Sequence, residues 1–372
     1  MGQSRAGEEA VPAGRLDGLL RPEVVAAFDR SFFEREGYWV WEGVLTEAGR
    51  RRWTASLQRL QQMNDGAVVE TDWGSIDFAG RGLLSPDPVK ITPAALRGYC
   101  GGSEQMKFLP PDLRTYMYQR GLLGPAPSLV VPGAQAEGIF PEYFPGAYDN
   151  FILDATTAHP QMMELLGKVL GPRFIIDHVL MLNRAPGTGG RRWHGHPYLD
   201  GQYEVEDPIG TGHALSKDFL PQQCVRTLCY PEGASCEEGG EFAVIPGAHL
   251  YRIPYKWSTA RPDGDEAMEA GWMQGKIHAF TGAPLQIRRF DVPPGSMVSF
   301  VHHMPHHVGY RQADAPTRWG LLMAYRTPDS RARPSTWSSG GPQHWLERME
   351  KADKISDAAR RVLQGDVPLG AV

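Results

Sequence analysis

The chain has 372 residues, 41% of them hydrophobic and 22% charged, with a formal net charge of -5. That is the composition of a globular protein able to bury a sizeable core, and it gives no electrostatic reason to expect nucleic acid or an anionic membrane as partner. No apolar run approaches the roughly 18 residues of a membrane-spanning helix, so no membrane is expected as partner.

The opening stretch "MGQSRAGEEAVPAGR" is polar, lacks the apolar segment of a secretory signal, and has Ala6 where myristoylation requires Ser or Thr. The expectation is a cytoplasmic protein with a flexible leader over residues 1–24, then a single domain over 25–335 and a C-terminal helix over 336–372. Residues 21–64 read as helix, short strand "GYWVWEGV" and helix, with Thr46 an ordinary N-cap because Gly49 occupies the capping-box position. Residues 64–150 are rich in Gly and Pro with little periodicity, as in loops that cover a binding site, and the insertion 201–223 reads the same way. The aromatic and acidic character of these lids points to a polar metabolite such as a natural-product intermediate. "HPQMMELLGKVLG" reads as a helix ending at Gly171.

From Arg173 the texture changes to short strands: "RFIIDHVLMLNRAPG", "VRTLCYPE", "GEFAVIPGAH", "LQIRRFDVPPGSMVSFVHH" and "RWGLLMAYRTP". Separated by Gly/Pro turns, they imply a mainly β fold with flanking helices (α+β), best fitted by a jelly roll with the N-terminal helices packed on one sheet. Gly239, Gly240, Pro246 and Gly247 read as turn-formers. The C-terminal stretch places Trp345, Met349, Ile355, Ala359 and Leu363 near one helical face, which packs on the domain or, as the alternative, forms a homodimer contact. Cys100, Cys224, Cys229 and Cys236 lack zinc-finger spacing and read as structural or incidental thiols.

The chemistry is concentrated in two histidine clusters. His194 and His196 are two residues apart on a strand, so their side chains share a face, and His302, His303, His306 and His307 follow another strand more than a hundred residues later. In a jelly roll such strands can meet at one ion, and imidazole suits iron, zinc, copper and nickel. Trp193 reads as core packing.

Several segments, in order, carry a resemblance to a known family. "FEREGYWVWEGVLTE" is similar to an "F-x-x-(D/E)-G-(Y/F)-hydrophobic" entry motif, and "LNRAPGTGGRRWHGH" to a "P-G-x-G-…-W-H-x-D" ligand strand. "EEGGEFAVIPGAH" is similar to a "G-x-hydrophobic-x-V-(I/L)-P-G-(S/T/A)-H" turn. "PPGSMVSFVHHMPHHVGYRQADAPTRWGLLMAYR" is similar to a final strand pair in which a histidine precedes an arginine by eleven residues, as His307 precedes Arg318. Across residues 30–330 the chain thus resembles the phytanoyl-CoA dioxygenase-like branch of the iron(II)/2-oxoglutarate oxygenases.

The resemblance implies a double-stranded β-helix (a cupin-like jelly roll) that holds Fe(II) and 2-oxoglutarate. The implied activity couples O2 and decarboxylation of 2-oxoglutarate to hydroxylation or related C–H oxidation of a small molecule. It assigns His194 as first metal ligand and His307 as distal ligand, with His306 the alternative, since adjacent strand residues face opposite ways and only one can ligate. Arg318 would hold the distal carboxylate of 2-oxoglutarate, Arg326 is a weaker candidate, and Asn183 and Arg184 lie either by the cofactor pocket or on a solvated turn.

The family pattern has an acid where this chain has His196. Either His196 completes a three-histidine centre, or it turns away and leaves an open position, or Asp200 or another acid supplies the carboxylate, or His196 serves proton transfer beside a two-histidine metal, or the site is degenerate with little activity. Outside this family, the alternatives are a three-histidine iron dioxygenase without 2-oxoglutarate and a non-catalytic, cupin-like metal-binding protein.

Overall fold

The segment Ser296–Val301 sends Val298 and Phe300 to one side and Met297 and Val301 to the other, and all four are buried. Because strand side chains alternate, burial on both sides requires a covering layer on each. One layer is a second sheet and the other is helical.

The computed structural model describes residues 16–64, 68–71, 74–77, 149–188, 190–195, 224–251, 264–328, 330 and 362. In chain order these form α1 (Pro22–Ala26), α2 (Arg30–Glu36), β1 (Tyr38–Trp41), α3 (Glu47–Asn64), β2 (Val68–Thr71) and β3 (Gly74–Asp77). There follow α4 (Asn150–Thr157), α5 (Pro160–Leu170), β4 (Ile175–Met181), β5 (Arg191–His194), β6 (Cys224–Tyr230) and β7 (Phe242–Val244). A 3-10 turn (Ala248–Leu250), α6 (Asp265–Ala270), β8 (Arg288–Arg289), β9 (Ser296–Val301), β10 (His306–Val308) and β11 (Leu321–Arg326) complete the set.

A five-stranded sheet in the order β1-β9-β6-β11-β4 faces a four-stranded sheet in the order β5-β10-β7-β8, while β2 and β3 pair separately. Every pairing is antiparallel. Leu228, Tyr230, Phe242, Val244, Phe300 and Leu322 fill the space between the two large sheets. The expected β-rich architecture with flanking helices is present.

The helical layer covers the outer face of the five-stranded sheet, where Trp53, Leu165 and Leu166 share one core with Met297, Met323 and Tyr325. Two of its buried polar groups are matched: Trp41 Nε1 donates to Ser299 Oγ at 2.8 Å, and Tyr325 OH donates to the Thr156 carbonyl at 2.5 Å. Three helix starts are capped by side chains, with Asp29 accepting from Phe32 N, Thr46 from Gly49 N and Asp149 from Ile152 N.

The leader expectation needs correction at its end. Leu19 and Leu20 are fully buried, Thr46 N donates to the Leu19 carbonyl, and α1 begins at Pro22, so packed chain starts before residue 25. The lid stretch 64–150 lies mostly, and 201–223 wholly, outside the described residues. So does the C-terminal helix, apart from Val362, which is buried in the helix-side core. Among the described residues, no helix is long and apolar enough to cross a membrane.

At Gly239 the left-handed backbone and crowding coincide: φ is 69°, and an added Cβ would overlap the Tyr310 carbonyl oxygen. By contrast Gly167, inside α5, has open space where a methyl would go. Gly239→Ala should therefore cost about 1–3 kcal/mol and Gly167→Ala should gain about 0.4–1 kcal/mol, read from urea denaturation midpoints.

His249, in the 3-10 turn, is fully buried and donates from Nε2 to the Glu34 carbonyl at 3.0 Å. Burial, opposed by that hydrogen bond, pushes its pKa down from 6.5 to about 3. The folded state thus binds fewer protons than the unfolded chain between these values, so stability is complete above 6.5 and falls as pH drops towards 3. Denaturation measured against pH should lose up to about 1.4 kcal/mol per pH unit of slope in His249→Gln.

Candidate metal centre

The short strand β10 determines which histidine faces the interior. His306 is paired with His194 on one side and Val244 on the other, while His307 is opposite Ala243 and Val308 opposite Phe242. Directly opposed residues share a face, so His306 and Val308 join Phe242 and Val244 between the sheets. His307 therefore goes to the outer face. The register thus places the alternative, His306, rather than His307, beside His194.

The His194 and His306 rings have centroids 4.1 Å apart. His194 Nδ1 lies 2.9 Å from the Arg192 carbonyl, and His306 Nδ1 lies 2.7 Å from the Met304 carbonyl. A carbonyl can only accept, so each ring carries its proton on Nδ1 and its lone pair on Nε2. That is how metal-bound histidines are usually held: the non-ligating nitrogen donates to a carbonyl or carboxylate that fixes tautomer and orientation. Burial holds His306 well below the ordinary imidazole pKa, and nearby His194 and Arg226 add to the effect, so its ring is neutral at physiological pH. Phe300 and Phe242, with ring centroids 4.9 Å and 5.9 Å from that of His306, wall the ring with apolar surface.

One residue not anticipated from sequence, Arg226, joins this pair together with His302 of the second histidine cluster. Arg226, on β6 in the middle of the five-stranded sheet, donates from Nε to His302 Nδ1 at 2.9 Å and from Nη1 to His306 Nε2 at 3.3 Å. The available signal was a charged residue inside the otherwise buried run "CVRTLCY". Among the described residues no set of three metal-binding side chains converges. His196 and Asp200 lie outside the described residues.

On the outer face His307 has a different setting. Its ring stacks against Trp193 with centroids 4.3 Å apart, and its Nε2 is 3.3 Å from Asp265 Oδ1. The same carboxyl oxygen accepts from Trp193 Nε1 at 3.2 Å, and Arg289 pairs with both Asp265 and Glu241. Burial lowers the His307 pKa while Asp265 opposes the shift. This cluster fastens the start of α6 to the four-stranded sheet, and Trp193 is core packing with its single donor matched.

Arg318 is buried just before β11, its guanidinium 5.2 Å from the ring centroid of Tyr230 in the inter-sheet core. Its backbone exchanges two hydrogen bonds with Arg184, at 2.8 and 2.9 Å. Arg184 is fully buried rather than on a solvated turn, because Nη2 donates to the carbonyls of Thr188 and Gly309. Asn183 is buried for a similar reason, bonding Gln61 and Gly320 N. Arg326 lies 3.8 Å from Asp177 and donates to the Ser330 carbonyl. The thiols of Cys224 and Cys229 are buried, free and pushed up by burial.

No family model matches the chain, and no curated protein matches it. Among solved structures it is similar to the non-heme alpha ketoglutarate dependent carbocyclase SnoK from nogalamycin biosynthesis, with a TM-score of 0.42 at 13% identity, covering 90% of this chain and 93% of that one. It is also similar to the epimerase SnoN from the same biosynthesis, with a TM-score of 0.41 at 13% identity over 85% and 94% of the two chains. HygX from Streptomyces hygroscopicus, with nickel and 2-oxoglutarate bound, gives 0.40 at 14% identity over 82% and 88%. At scores and identities this low, the likeness says nothing about the chemistry of this chain.

The two faces of β10 predict opposite outcomes for neighbouring residues. In Co(II) titrations followed by visible absorption, His306→Ala should abolish binding. His307→Ala should leave it within about threefold and cost about 1–3 kcal/mol in stability by loosening α6.

Proposed function

We propose that the protein is a non-haem Fe(II) oxygenase that couples O2 and 2-oxoglutarate to hydroxylation or related C–H oxidation of a small organic substrate. The observation that carries this reading is the pair His194–His306, from segments 112 residues apart, with both Nδ1 protons pinned on carbonyls. His194 and His306 would hold the metal, with His196 as third ligand in place of an acid. Passage of the chain between facing sheets along β4 to β11 fits a double-stranded β-helix, and the sequence resemblance to phytanoyl-CoA dioxygenase-like enzymes supports the cofactor pair.

Fe(II) would supply a centre at which O2 and a 2-oxoacid react together. The chain's own contribution is orientation and dryness. The carbonyls of Arg192 and Met304 set the two rings, and Phe242 and Phe300 exclude water around His306. Arg318 would bind the distal carboxylate of 2-oxoglutarate, since its planar fork can meet both oxygens and stays charged when buried. Three neutral imidazoles would leave the centre one negative charge short of a site with a carboxylate ligand, which weakens its support of oxidised iron. An oxygenase without 2-oxoglutarate would have no cofactor carboxylate for Arg318 to meet.

The test is anaerobic reconstitution with Fe(II), followed by addition of 2-oxoglutarate. A visible charge-transfer band is expected, weaker in Arg318→Ala, absent in His194→Ala and His306→Ala, and retained in His307→Ala. Zinc retained through purification with no such band would overturn the reading. His196→Asp should raise Fe(II) affinity by about tenfold, and unchanged affinity in both His196→Asp and His196→Gly would remove His196 from the ligand set.

A further inference from the structure

Arg226, beside the His194–His306 pair, has no place in the reading above. Its side chain leaves β6 on the inter-sheet face, alongside Leu228 and Tyr230, and is buried. It bridges two imidazoles, and a guanidinium can only donate, so both His302 Nδ1 and His306 Nε2 act as acceptors. The two bonds are unequal: 2.9 Å to His302 and 3.3 Å to His306. The shorter bond anchors the group, and the longer one occupies the nitrogen that a metal would use.

A divalent cation on His306 Nε2 therefore displaces the guanidinium hydrogen and leaves two positive charges side by side in a dry site. Like charges at such a distance repel strongly where water is excluded. A carboxylate on the metal resolves the conflict, because it can bind the cation and accept from the displaced guanidinium at once. The Nε bond to His302 keeps the guanidinium in reach while its outer nitrogens change partner.

We propose that Arg226 recognises a carboxylate at the metal centre, exchanging His306 Nε2 for that anion, so that metal and carboxylate bind cooperatively. This rests on the reading that His194 and His306 hold the metal. The carboxylate has two sources: the 2-oxoacid, or an acid group of the primary substrate.

The experiment measures Co(II) affinity of the full chain by visible titration, alone, with 2-oxoglutarate, and with acetate as a monocarboxylate probe. In the wild type, carboxylate should tighten Co(II) by about 100-fold. Arg226→Met should bind Co(II) alone about tenfold more tightly and lose most of the tightening. Arg226→Lys, which keeps the charge without the planar fork, should retain weak binding of the metal alone with reduced tightening. Loss confined to the 2-oxoglutarate arm assigns the oxoacid as partner, and loss confined to the acetate arm assigns a substrate acid group. If both variants match wild type in all arms, the proposal is overturned while the metal reading stands. If the wild type binds no Co(II) that His194→Ala removes, the metal reading fails and this proposal with it.

Discussion

The candidate centre depends on the register of three residues, His306–Val308, between β5 and β7. That register places His306 against His194 and fills the opposite face with Trp193 and His307. A slip by one residue would exchange the two histidines, putting His307 between the sheets and His306 against Asp265. The outer cluster of Trp193, His307, Asp265 and Arg289 resists such a slip, because its polar atoms meet only in the observed alignment. The outer face of β10 thereby fixes the orientation of the face that carries His306 beside His194.

Much of this was legible in the sequence. Short strand-like segments and Gly/Pro punctuation marked β1, β4, β6, β7, β9 and β11, and the N-cap at Thr46 and a terminating Gly171 bounded two helices. One member of each histidine cluster, His194 and His306, lies beside the other. What the pattern could not resolve was the inward member of the pair His306/His307, since β10 is buried on both faces and alternation in hydrophobicity disappears there. The bulge between His306 and Val308 removes the remaining clue from spacing.

Arginines were the harder residues to place. In strands and turns they usually face water, yet Arg184, Arg226, Arg311 and Arg318 are all buried here. Arg184 and Arg311 direct donors to backbone carbonyls of the loops that join the sheets, and Arg311 also pairs with Glu238. Sequence marks such residues only by a charge standing inside an apolar run, as Arg226 does in "CVRTLCY".

One feature of the pair bears on how such a site persists through divergence. Each ring is oriented by the carbonyl two residues upstream on its own segment, Arg192 for His194 and Met304 for His306. A backbone oxygen survives any substitution of the residue that bears it. The orienting groups are therefore immune to point mutation, and the surrounding side chains can change while the two imidazoles keep their tautomers.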